Sequence, residues 1–112
     1  MEDMNKETEQ KIGQLQLMEQ NLQNFATQKQ TFQTQLFEIE NALKELENCK
    51  DKTYKIVGTV MIASDKKELI KDLNEKKSMI ELRIKTLEKQ EKAIKEKASH
   101  IQTEVMSKLK KK

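Results

Sequence analysis

Cys49 and His100 are the side chains in this chain best suited to nucleophilic, acid–base or metal chemistry, and each is the sole residue of its type. A catalytic thiolate needs a base within hydrogen-bond reach, and a zinc site needs several thiol or imidazole ligands at defined spacing. Neither residue has such partners at a recognisable spacing, and one cysteine makes no internal disulfide. No catalytic residue, metal site or cofactor is expected. What remains is the chemistry of apolar contact. The chain has six methionines, whose unbranched thioethers adapt to apolar partners of varied shape, and a β-branched run over 53–64.

Those side chains need a frame, and composition limits what it can be. Of 112 residues, 35% are hydrophobic, 37% charged and 4% aromatic, which is poor material for a globular core. A disordered polyelectrolyte has similar averages, but here the apolar residues form a pattern. They recur at alternating steps of three and four as Leu15, Met18, Leu22, Phe25, Phe32, Leu36, Ile39, Leu43 and Leu46, with Lys29 interposed. The rhythm returns as Ile70, Leu73, Ile80, Ile84, Leu87, Ile94, Ala98, Ile101 and Val105, with Lys77 and Glu91 at seam positions. A 3.5-residue period holds one stripe of a helix against a partner helix. Proline is absent and the only glycines are Gly13 and Gly58, so little interrupts long helices. In an antiparallel pair, facing residues have numbers of constant sum, and Leu46 with Ile70, Leu36 with Ile80 and Leu15 with Ile101 all give 116. The mirror point is Gly58. Registers seven apart are equally regular, so the connection must choose among them.

The formal charge of +3 conceals an asymmetry. Residues 1–50 carry five Lys against nine Asp or Glu, and residues 66–112 carry fifteen Lys or Arg against eight, giving halves of −4 and +7. Opposite charge favours the halves lying together, yet exposed pairs contribute only ~0–1 kcal/mol each, so the seam must supply most of the stability. No apolar run approaches the ~20 residues of a membrane span, and residues 1–9 lack an apolar signal-peptide core. A cytoplasmic location is expected. Nucleic acid is a poor fit as partner: the second-half lysines alternate with Glu, and one Tyr without Trp offers little base stacking.

The expected fold is mainly α: a long antiparallel two-helix coiled coil joined by a β-hairpin that oligomerises into a β-barrel body. One domain, 1–112, would comprise a first helix over about 9–49, roughly 60 Å long, a hairpin over 53–64 and a second helix over about 66–109. Asp65 can cap the second helix and Glu68, three residues on, completes a capping box. Gly58-Thr59 suits a two-residue type II′ turn, whose first position needs positive φ. Strand alternation groups Tyr54, Ile56, Val60 and Ile62 on one face against Val57, Met61 and Ala63 on the other. A lone hairpin with two apolar faces and open edges is marginal in water, so pairing with hairpins of other subunits is expected. Tyr54, Ile56, Val57, Gly58, Val60, Met61 and Ile62 are the candidate subunit interface.

The hairpin sequence Tyr54-Lys55-Ile56-Val57-Gly58-Thr59-Val60-Met61-Ile62, the helix cap after it, the stretch Glu81-Leu82-Arg83-Ile84-Lys85-Thr86-Leu87-Glu88-Lys89-Gln90-Glu91 and the Gln-rich first helix resemble the β-class subunits of prefoldin, of archaeal type. The resemblance covers nearly the whole chain. It implies an ATP-independent molecular chaperone in which two α-class and four β-class subunits join through hairpins into a hexamer with a barrel body and coiled-coil arms. The arms would hold unfolded client proteins and pass them to a group II chaperonin. A single hairpin fits the β class, since α-class subunits carry a second.

A holding chaperone needs apolar surface outside the seam. Below Leu15 the seam is expected to decay, because its next layers pair Lys11 with Val105 and Thr8 with Lys108, which are poor knobs. Ile12, Leu17, Met106 and Leu109 lie off the seam there, and with Met4, Leu15, Met18, Ile101 and Val105 they form the candidate client-binding ends. The alternative is that Ile12 and Leu17 only widen the seam and that chain ends fray in any protein. The basic run Lys108, Lys110, Lys111 and Lys112 is either a solvated end or, by the resemblance, a chaperonin-docking element. Phe37, Met79 and Leu82 sit at positions that normally face water; neighbouring subunits, a cavity wall or no function at all account for them equally. Lys29 faces Leu87 and can reach Glu91, a pair that disfavours other registers. Lys77 is expected to snorkel outward. The rival reading from another class is a structural coiled-coil adaptor linking proteins; it needs only a tight polar turn where this chain has twelve β-rich residues.

Overall fold

Helix α1 (Glu2–Asn48) leads into strands β1 (Thr53–Val57) and β2 (Val60–Ser64), and helix α2 (Lys66–Lys110) follows. The structure, a computed structural model, describes the backbone of residues 2–110 and the side chains of residues 6–109. α1 begins at Glu2, ahead of the expected residue 9. Residues 2–9 lack a heptad but contain good helix formers, and acidic groups near a helix N-terminus meet its positive dipole end. At the start of α2 the Asp65 carbonyl accepts the Leu69 amide at 3.0 Å, which makes Asp65 the N-cap residue, with Glu68 in the first turn.

The chain divides into two compact units, one containing the residues up to Lys29 and from Thr86 onward, the other Gln30–Lys85. In the first, Leu87, Glu91, Ile101 and Val105 of α2 are buried, while Leu15, Met18, Leu22 and Phe25 of α1 are half-buried. Two helices cover only one stripe of each other, so among the described residues no large side chain is fully enclosed. Burial recurs at the seam positions the heptads mark. In the second unit the same spacing half-buries Phe32, Leu36, Ile39, Leu43 and Leu46 with Ile70, Leu73 and Ile80, and Ile84 is buried; Leu69, one position off the seam, is half-buried as well. There the Arg83 guanidinium lies 5.7 Å above the Phe32 ring, a cation–π contact that covers the aromatic face. α1 has no basic residue in its last turn. Lys66 of α2 supplies the missing cation, its Nζ donating to the carbonyls of Cys49 at 3.0 Å and Glu47 at 3.5 Å. That contact satisfies exposed carbonyls at the negative end of the α1 dipole and fixes where the second helix starts relative to the first.

The hairpin pairs Thr53 with Ser64, Tyr54 with Ala63, Lys55 with Ile62, Ile56 with Met61 and Val57 with Val60. Gly58 has φ of 63°, and Thr59, like every other non-glycine residue described, has negative φ. Positive φ at the first turn position alone is the type II′ pattern. A Cβ at residue 58 would meet nothing within 4 Å, so glycine is needed for conformation and not for space.

This register corrects the expected faces. Paired residue numbers add to 117, an odd sum, so even positions of β1 oppose odd positions of β2. One face therefore carries Tyr54, Ile56, Met61 and Ala63, and the other Lys55, Val57, Val60 and Ile62. Simple alternation counted straight through the turn puts β2 on the wrong side, because a two-residue turn changes which parity faces which.

Candidate binding surfaces

Six hairpin side chains, Tyr54, Ile56, Val57, Val60, Met61 and Ile62, stand 49–70% exposed. The hydroxyl of Thr53 donates to the Ser64 carbonyl at 2.6 Å and closes the open end of the ladder. Lys55 Nζ lies 3.7 Å from Asp72 Oδ2, fastening β1 to α2. Beside β1 a cleft of about 980 Å³ is lined by Leu46, Tyr54, Ile56, Leu69, Leu73 and Met79. The sheet has two strands, so each presents one unpaired edge. Apolar faces and free edges together are what a joining surface offers. Met79 also borders a second groove, of about 710 Å³, with Ile70 and Leu82. Met79 and Leu82 thus adjoin the hairpin's surroundings, whereas Phe37, exposed like them, lines neither groove.

The second surface is at the terminal segments of the helices. Ile12, Leu17, Met106 and Leu109 are exposed. Leu15 and Met18 are half-buried in the seam, and Ile101 and Val105 are buried, so these last two offer almost no surface. Among the candidate residues, the side chains of Met4 and Lys110 and the whole of Lys111 and Lys112 lie outside the described residues. The expected decay below Leu15 does not occur. Lys11 and Lys108 keep their stems in the seam and turn their ammonium groups onto carboxylates of the opposite helix. Lys11 Nζ lies 2.7 Å from Glu104 Oε2, and Lys108 Nζ lies 2.9 Å from Glu7 Oε2. His100 Nε2 stands 3.2 Å from the other Glu104 oxygen. Lys108, expected to project freely for docking, is thereby engaged within the helix pair.

The carboxyl of Glu104 is held below its ordinary 4.5, first by the hydrogen bond from Lys11, and that of Glu7 by the hydrogen bond from Lys108. Lys11 is raised above 10.5, first by its hydrogen bond to Glu104. A depressed carboxyl stabilises the fold above its ordinary value and ceases to as pH falls through the depressed one; a raised lysine does so below 10.5 until pH rises through its new value. The pairs are therefore complete at neutral pH and fail in acid. Circular-dichroism melts between neutral pH and about 3 should show a falling midpoint. A Glu7→Gln, Glu104→Gln double variant should start lower at neutral pH and fall less.

Polar seam positions are paired as well. Lys29 Nζ lies 3.0 Å from Oε1 of the buried Glu91, an ion pair whose alignment makes no hydrogen bond. Lys77 reaches Glu40 at 3.9 Å, which gives its outward ammonium a partner. The terminal pairs and the Lys66 cap were missed in the sequence, although Lys11 with Glu104 and Glu7 with Lys108 both add to 115, one short of the seam sum. Among the described residues no group of three or more His, Cys, Asp or Glu side chains could hold a metal ion. No helix of the described residues is long and apolar enough to cross a membrane.

Comparison with known proteins gives one consistent result. A family profile described as prefoldin subunit matches residues 9–112. The prefoldin subunit beta of Archaeoglobus fulgidus is 37% identical over 98 residues, covering 86% of this chain and 84% of its own length. That of Methanospirillum hungatei is 33% identical over 111 residues, covering 97% and 92%. The crystal structure of the prefoldin beta subunit from Thermococcus strain KS-1 superposes with a TM-score of 0.86 at 34% identity, covering 92% of each chain.

Proposed function

The chain belongs to the prefoldin family as a β-class subunit, and from that premise we propose that it is an ATP-independent chaperone subunit which holds non-native proteins and delivers them to a group II chaperonin. The hairpin joins it to α-class partners in a hexamer of two α and four β subunits, closing the open strand edges into a barrel. The client surface is made by Ile12, Leu17, Met106 and Leu109, the exposed members of the terminal segments. The observation that supports this most is that these residues stay uncovered although the seam beside them is intact, so they are surplus to holding the helices together. Scattered exposed apolar residues are ordinary, but Ile12, Met106 and Leu109 gather on one flank of the terminal segments and make a surface, with Leu17 on the other flank. Docking on the chaperonin is assigned to Lys110, Lys111 and Lys112, with Lys108 occupied by Glu7.

Replacing Ile12, Leu17, Met106 and Leu109 together by Ser tests the assignment. Leu17, Met106 and Leu109 are more than half exposed and Ile12, 40% exposed, only borders the seam, so helicity and assembly mass should be retained. Suppression of aggregation of a chemically unfolded model protein should drop by at least tenfold, since each lost apolar anchor removes ~1 kcal/mol or more of contact. Undiminished suppression by this variant, assembled with its α-class partner, rules out the terminal surface.

A further inference from the structure

The terminal segments carry charge on one flank and the exposed Ile12, Met106 and Leu109 on the other, with Leu17, at heptad position c, on the charged flank. With Leu15 and Val105 at heptad position a, Glu7 and Glu104 fall at g, and Ile12 and Leu109 at e. In an antiparallel pair g faces g and e faces e, so the two sets occupy opposite sides of the seam. On the g side, Lys11 and Lys108 each leave a d position to reach the facing helix's carboxylate, at 2.7 and 2.9 Å, and His100 joins Glu104 at 3.2 Å. The layers they flank, Lys11 with Val105 and Thr8 with Lys108, contain a single apolar knob. Val105 is nevertheless only 6% exposed and Ile101 8%. One apolar knob in two layers is too little to hold helix ends together, so closure here depends on the ion pairs.

We propose that Glu7, Lys11, Glu104 and Lys108 form an electrostatic latch that sets how much apolar surface the terminal segments offer to a client. This rests on the client-holding reading above. Closed, the segment presents Ile12, Met106 and Leu109 on the e side and keeps Ile101 and Val105 covered. Opened, it adds Ile101, Val105 and Leu15 to that surface. The latch is built from solvent-exposed pairs, which salt screens and which a charged client segment can replace with pairs of its own. A buried apolar lock would respond to neither.

The test uses the full chain with Glu104→Lys, which sets a cation against Lys11 and Lys108, and the swap of Lys11→Glu with Glu104→Lys, which restores a pair of reversed polarity. Amide exchange over residues 98–108 reads opening; binding of a reduced, carboxymethylated protein that stays unfolded in native buffer reads the exposed surface. Exchange should quicken roughly three- to tenfold in the single variant, probe binding should tighten by a similar factor, and the swap should return both to wild type. Added salt should move the wild type the same way in exchange. Glu104→Gln, which removes the pair without repulsion, should shift both readouts less. Unchanged exchange in Glu104→Lys overturns the latch, as does faster exchange with probe binding unaltered or weakened. A wild-type chain that does not bind the probe overturns the client-holding reading, and the latch's regulatory role falls with it.

Discussion

Val60→Asp is expected to convert an assembling chain into a folded monomer. The register sets Val60 directly opposite Val57 beside the turn, on the face shared with Ile62, and it is 57% exposed in the single chain. In the isolated hairpin a carboxylate there remains hydrated and costs no more than the strand-propensity difference, ~1 kcal/mol. Buried between neighbouring hairpins, the same carboxylate is desolvated beside Val57 and Ile62, with Lys55 of that face already engaged by Asp72, and costs several kcal/mol at each copy of the interface. The helices do not depend on it. Light scattering should give the mass of one chain, alone and with an α-class partner, while the helical circular-dichroism signal is kept. Val57→Asp should behave alike, because the two residues form one cross-strand pair. A mass unchanged by either substitution means that subunits join somewhere other than the hairpin.

What could be read from the sequence follows from which forces are periodic. Seam burial repeats every 3.5 residues, so the heptads marked the buried stripe from Leu15 to Val105, and the Lys29–Glu91 pair followed from the mirror sum. The hairpin turn was also readable, since Gly58 is the one residue there that adopts positive φ without strain. The strand faces followed from that same turn, since two residues between the strands make paired numbers add to 117, the odd sum of 58 and 59; alternation counted straight through the turn misplaces β2. The terminal segments were misjudged for a different reason. A lysine at d is a poor knob by itself, but its worth depends on whether a carboxylate sits one position off the seam on the facing helix, as Glu104 does for Lys11 and Glu7 for Lys108. Seam scoring that looks only at a and d cannot see that neighbour. Lys66 was invisible for the same reason: its partners are the carbonyls of Glu47 and Cys49, which no residue type announces.

The Lys29–Glu91 pair, which links two adjacent seam layers, carries the other large effect. Glu91 is 8% exposed, among the described residues the one charged side chain buried to the level of the apolar seam, and Lys29 pairs with it. Lys29→Met keeps the stem that packs in the seam and removes only the charge, leaving a carboxylate among Phe25, Leu87 and Ile94 layers without a counterion. The expected loss is ~2–4 kcal/mol, read from the urea midpoint at neutral pH. Changing both residues, Lys29→Leu with Glu91→Leu, should recover that loss and be equal to or more stable than wild type, because well-packed apolar layers replace two desolvated charges. Within one chain the double variant still has a single register, since the hairpin pairs Val57 with Val60 and forbids a seven-residue slip. What the polar pair penalises is therefore pairing between chains, where no hairpin sets the register and a continuous apolar seam would accept any heptad-spaced partner. The double variant should melt higher yet show extra high-mass species by light scattering as concentration rises, and those species should persist when Val60→Asp removes hairpin assembly. A double variant that is both more stable and free of such species would leave the pair without a role in specificity.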